Sequence, residues 1–111
     1  MDLKQAILNA PKKLTSVILP EAGGAVVFVK AMTGAEYDVY LAKVQERGKG
    51  VTGMRQLIVS STVCDEAGRL LFTDPAELNG VHTAVLERLT NVALRVNGLT
   101  ETAQEELEKK V

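Results

Sequence analysis

With 111 residues, 46% of them apolar and 24% charged, the chain is one globular domain's worth of sequence, too short for two cores and too apolar for disorder throughout. Its 13 basic and 14 acidic residues are dispersed along the chain and leave a formal net charge of -1. No basic face or stripe can be read from them, which excludes nucleic acid as the expected partner.

Residues 1–11 read as a short helix. Asp2 stands where a carboxylate favours the first turn, and Leu3, Ile7 and Ala10 share a face by helical spacing. Pro11 ends the helix, because the residue before a proline avoids helical angles. Met1 to Ala10 has no long apolar core and does not read as a signal peptide. The longest continuous apolar run, Ala25 to Val29, is far short of a membrane span. The cytoplasm of some cell, with no membrane association, is the expected setting, and a single cysteine, Cys64, suits a reducing compartment.

Two β-branched runs follow, Leu14 to Leu19 and Ala25 to Ala31, joined by Pro20-Glu21-Ala22-Gly23-Gly24. Proline and paired glycines between such runs predict a β-hairpin over 14–31. On the second strand Val27, Val29 and Ala31 face one way and Val26, Phe28 and Lys30 the other. Both faces are largely apolar, so at least part of the sheet is expected to be covered on both sides.

Thr33, three residues ahead of Glu36, has the spacing of a capping box. The helix it opens, Ala35 to about Glu46, sets Tyr37, Tyr40, Leu41 and Val44 on one stripe. Arg47 to Gly53, with three glycines in seven residues, reads as a flexible loop. Met54 to Cys64 carries a helical face (Met54, Leu57, Ile58, Ser61) but also the β-branched Ile58, Val59, Thr62 and Val63. Its length favours a helix. Cys64 to Arg69 has tight-turn chemistry around Gly68, and Thr73-Asp74-Pro75 opens a helical turn. His82 to Val96 is the strongest helical pattern, with Val85, Leu89, Val92 and Val96 in one line, closed by Asn97-Gly98. Thr100 leads into a thin amphipathic segment carrying only Ala103, Leu107 and Val111 as apolar residues.

No arrangement of side chains along this course points to catalysis, a cofactor or a metal. Cys64 is followed by Asp65 and Glu66, which oppose the low thiol pKa that a nucleophile needs. It reads as a small packed hydrophobe. His82 has no companions at ligand spacing, and Asp65, Glu66 and Asp74 lack the alternation of a calcium loop. The glycines of the loop lack the Gly-Lys-Ser/Thr ending of a phosphate cradle. What remains is surface. Tyr37, Tyr40 and Val44 on one helix, and Ala103, Leu107 and Val111 on the last segment, are the candidate residues for partner binding or self-association through helix-in-groove contacts. Against this, both stripes can simply close the domain's own core, the tyrosine stripe the more readily.

The expected architecture is thus a single domain over 1–111, of the α+β class and mostly helical. Its N-terminal β-hairpin packs against about four helices: 1–11 a short helix, 14–31 the hairpin, 34–98 the helical body, 100–111 an amphipathic end.

The order of segments resembles the tail assembly chaperones of long-tailed bacteriophages and prophages. The stretches that carry the resemblance are Met1 to Leu8, Val27 to Glu36 with its Met-Thr-Gly-Ala-Glu helix start, Val63 to Phe72, and Ala93 to Thr100 with its Asn-Gly-Leu ending. The resemblance implies a scaffold that coats the hydrophobic tape measure protein before tail tube subunits polymerise around it, self-associates, and has no catalytic residue. It also implies recruitment of the tail tube protein through a frameshifted C-terminal extension, and Glu108-Lys109-Lys110 is compatible with an A-rich slippery site in the gene. Such a protein acts in the host bacterial cytoplasm and is absent from the mature virion. The alternatives are another small tail or head–tail joining component, which would carry more strand, and a regulatory binding module, which would show a basic recognition helix.

Overall fold

The computed structural model describes residues 2–9, 14–46 and 53–99. In chain order these form α1 (Leu3–Leu8), β1 (Leu14–Leu19), β2 (Ala25–Lys30), α2 (Gly34–Glu46), α3 (Met54–Thr62), β3 (Val63–Cys64) and α4 (Thr83–Val96). Single 3₁₀ turns lie at Pro20–Ala22 and Pro75–Leu78. The fold is α+β: a three-stranded antiparallel sheet of order β1-β2-β3 against helices.

The hairpin forms in the register its apolar alternation requires, with Val17 opposite Val27 and Thr15 opposite Val29. Its five-residue connection closes as a 3₁₀ turn followed by Gly23 and Gly24, both at positive φ, where a side chain would be strained. The inner face, with Val17, Leu19 and Val29 buried, packs against α4, which touches both strands of the hairpin. α4 in turn buries Leu86, Leu89, Ala93 and Leu94, an amphipathic stripe at helical spacing. It stops in a double hydrogen-bonded cap: Gly98 in the left-handed region, its N–H donating to Arg95 and that of Leu99 to Leu94.

The segment with mixed signals resolves into both of its tendencies. Met54–Thr62 is helical, and the chain then enters β3 without a loop, pairing Val63 with Val29 and Cys64 with Phe28. The helix expected to reach Cys64 therefore ends two residues early. The β-branched Val63 gains more as a buried partner of the central strand than as another helical residue. α3 carries Leu57, Ile58 and Val59, all buried, into contact with α4, α2 and the Pro75–Leu78 turn. Its buried polar residues are satisfied locally: Ser60 donates to Leu57 O at 3.0 Å and Thr62 to Ile58 O at 2.7 Å.

Both expected helix starts are present. The Thr33 hydroxyl accepts from Glu36 N at 3.2 Å and Glu36 returns a carboxylate to Thr33 N at 2.9 Å, a capping box. Asp74 and Glu77 form a second around the proline turn. A long-range clasp joins the two ends of the fold. Asn97, which caps α4, accepts from Met32 N at 2.7 Å through Oδ1, while its Nδ2 donates to Ala93 O at 2.9 Å and Lys30 O at 3.3 Å.

The outer face of the sheet is covered in part, as expected: Cys64 is buried there and Phe28 half-buried, while Ile18 and Val26, paired across the strands at the hairpin end, are 61% and 53% exposed.

Candidate functional site

The tyrosine stripe is built by α2, whose capping box fixes where the helix starts and so which residues face inward. Tyr37, Tyr40 and Val44 fall on one side as expected, and the two rings stack at 6.1 Å between centroids, 30° from parallel. That side faces the core. Tyr40 is only 3% exposed and belongs to the core itself, with Tyr37 and Val44 half-buried against it. Within one copy of the chain Tyr40 is therefore not a docking surface, because burying its ring stabilises the domain more than an open face would. The large apolar residue that α2 does present outward is Val39. Ala103, Leu107 and Val111 lie outside the described residues.

The apolar surface that is open lies elsewhere, in two places. The first is the outer face of the sheet. Leu14, Ile18 and Val26 are exposed there, and the row Ser16, Phe28, Cys64, Leu70 crosses the strands by direct pairing and a β-bridge, which puts all four on one side. Phe28 is half-buried and Leu70 exposed. The second is α1. Its N-cap, Asp2, accepts from Lys4 N at 3.1 Å, yet the helix buries no side chain: Leu3, Ile7 and Leu8 are 80%, 76% and 65% exposed. Sequence reasoning missed the sheet face because Leu14, Ile18 and Val26 look like core residues. The available signal was Ser16 and Lys30 on the same side of the strands.

The titrating groups are held by ordinary structural partners. Burial alone would raise the Glu36 carboxyl, but the Lys30 ammonium and the Thr33 N–H outweigh it and hold the group below its ordinary value of 4.5. Burial pushes the Cys64 thiol up, against a partial lowering by Lys30, so the thiolate that a nucleophile needs is disfavoured. The Arg69 N–H holds Asp65 low, with Ala67 N–H assisting against the cost of desolvation. Arg88 does the same for Glu21, at 2.8 Å, tying α4 to the hairpin turn. Among the described residues, no buried side-chain nitrogen or oxygen lacks a partner, and no group of three or more His, Cys, Asp or Glu could hold a metal ion. No described helix is long and apolar enough to cross a membrane.

A depressed carboxyl gives a pH dependence with a definite sign. Glu36 binds its proton more readily in the unfolded chain than in the folded one. Its stabilising contribution is complete above about 4.5 and is lost as pH falls below that value through the folded pKa. Urea midpoints measured across the acid range should fall accordingly. Glu36→Gln, which keeps an acceptor for Thr33 N, should show a shallower fall; an identical slope would remove Glu36 as a source.

No family model and no curated protein matches the chain. Among solved structures, the tail assembly chaperone of bacteriophage HK97 superposes with a TM-score of 0.62, covering 89% of this chain and 96% of that one, at 19% sequence identity. At that identity the likeness is one of fold, and it extends over nearly the whole of both chains.

Proposed function

We propose that this chain is a tail assembly chaperone of a long-tailed bacteriophage or prophage, a non-catalytic scaffold without a cofactor that acts in the cytoplasm of the host bacterium. In this reading it binds the tape measure protein, helps recruit tail tube subunits during tail morphogenesis, and is left out of the finished virion. The observation that carries the reading is the near full-length likeness in fold to the HK97 tail assembly chaperone. The open apolar residues of α1 and of the outer sheet face support it, since a coat for a long apolar protein works through extended hydrophobic surface rather than an enclosed site.

Co-expression with the tape measure protein encoded in the same genome tests this. The expected result is a soluble complex, with several copies of this chain per partner by light scattering, where the tape measure protein alone is insoluble. An insoluble partner beside a free chain would sink the reading and favour a different small tail or head–tail joining role.

A further inference from the structure

Two of the chain's four asparagines, Asn79 and Asn97, precede a glycine. In such a pair the glycine's amide nitrogen can attack the asparagine side-chain carbonyl, because the glycine has no side chain to shield the approach. The local sequences are closely matched: Leu78 and Val81 flank one pair, Val96 and Leu99 the other. A difference in their reactivity is therefore set by the fold, and the fold treats them oppositely. Asn79 and Gly80 are both exposed at the end of the Pro75–Leu78 turn. The Asn79 side-chain amide makes no hydrogen bond with any described residue. Asn97 is half-buried, and its side chain holds Met32 N, Ala93 O and Lys30 O. The next two N–H groups are bound as well, that of Gly98 to Arg95 O and that of Leu99 to Leu94 O. Turning the Asn97 side-chain carbonyl toward Gly98 N breaks the clasp and the helix cap together. At position 79 the same turn disturbs, among the described residues, a single 3.1 Å bond from Val81 N to Leu78 O.

We propose that Asn79-Gly80 is a site of spontaneous succinimide formation in the folded protein, and that the clasp shields Asn97-Gly98 from the same reaction until the chain opens. At position 79 the Gly80 nitrogen bonds to the Asn79 side-chain carbonyl carbon. The bond from that carbon to the side-chain nitrogen breaks, and the nitrogen departs as ammonia with the proton displaced from the Gly80 amide. Water then opens the ring at either carbonyl, giving aspartate or isoaspartate and one added negative charge. No oxidant or reductant takes part. Isoaspartate lengthens the main chain by one carbon immediately after the buried Leu78, and so loosens the turn that packs on α3. At position 97 the product keeps an acceptor for Met32 N but loses both donors of the clasp. A chain modified there while open returns to a weaker fold. One pair thus ages the folded chain, and the other records its openings. The chemistry needs no partner and stands apart from the role in tail assembly.

Incubation of the full chain at mildly alkaline pH, followed by digestion in mild acid and peptide mapping by mass spectrometry, tests it. In the folded protein position 79 should convert at least about tenfold faster than position 97, since an opening that breaks several hydrogen bonds must precede reaction at 97. Isoaspartate should appear beside aspartate, because ring opening gives both whereas direct hydrolysis of the side-chain amide gives aspartate alone. In urea the two rates should converge. Gly80→Ala should slow conversion at 79 several-fold and leave the fold intact, because a Cβ at Gly80 meets nothing within 4 Å and the backbone there is outside the positive-φ region. Comparable rates at 79 and 97 in the folded chain would overturn the proposal, as would a preference for 79 that persists in urea. Aspartate without isoaspartate, or a rate at 79 that Gly80→Ala leaves unchanged, would overturn the succinimide route.

Discussion

Ile58→Ala should lower the unfolding free energy by about 3–4 kcal/mol, a loss typical of a fully enclosed isoleucine whose cavity cannot collapse. For a domain of this size that is a large part of a total of about 5–15 kcal/mol, and the melting temperature should drop by about 15–20 °C. The position explains the magnitude. Ile58 lies in α3, which is held at once by α4, by α2 and by the proline turn at Pro75–Leu78, and the side chain is essentially without solvent contact. With the helix itself anchored to three different elements, no single shift refills the space. Val39→Ala removes two methyl groups from the exposed side of α2 and should change stability by less than about 0.5 kcal/mol. Denaturant unfolding of the pair decides the matter: similar losses for both, or a loss below about 1 kcal/mol at Ile58, would mean that α3 is not the centre of the core.

Asn97→Ala should cost about 2–3 kcal/mol. Three hydrogen bonds end at this side chain, each worth about 1 kcal/mol net, and removing it leaves the part-buried Met32 N–H without its acceptor. The molecule supplies its own control. Asn9 caps α1 with φ -95° and ψ 7°, and Asn97 caps α4 with φ -96° and ψ 6°, so any intrinsic preference of asparagine for that backbone is common to both. Asn9 is exposed, and Asn9→Ala should be nearly silent. The difference between the two variants in urea midpoint therefore measures the clasp itself. Asn97→Asp should not rescue, because it keeps the acceptor for Met32, loses both donors, and puts a negative charge at a helix C-terminus. Equal effects at positions 9 and 97 would leave the clasp without energetic weight.

What could be read in the sequence, and what could not, divides along the range of the interactions involved. Thr33 with Glu36, Asp74 with Pro75 and Glu77, and Gly98 after Asn97 act within a few residues, and each produces the cap its spacing implies. The hairpin is equally local, since its turn residues and its alternation agree. Val63 and Cys64 are different. Nothing near them says that Val29 and Phe28 wait as strand partners more than thirty residues back, so the end of α3 depends on tertiary pairing that a local pattern does not carry. The candidate surface fails to be legible for a related reason. Tyr40 and Ile18 are both apolar members of apolar stripes, yet one is enclosed and the other open. Which stripe finds a cover depends on how α4 divides the two sides of the sheet. The clasp at Asn97 was hidden too, because an asparagine before a glycine is fully accounted for as a helix stop.

Closing residue 97 onto residues 30 and 32 has a consequence for the chain during its synthesis. When the ribosome has delivered the hairpin, α2 and α3, the inner side of the sheet has received none of the leucines that α4 brings to it. Val17, Leu19 and Val29 lack that cover until translation has passed Leu99. Folding therefore waits for the last of the described residues, and a nascent chain stalled before α4 is the species most exposed to proteases and to pairing with its own kind.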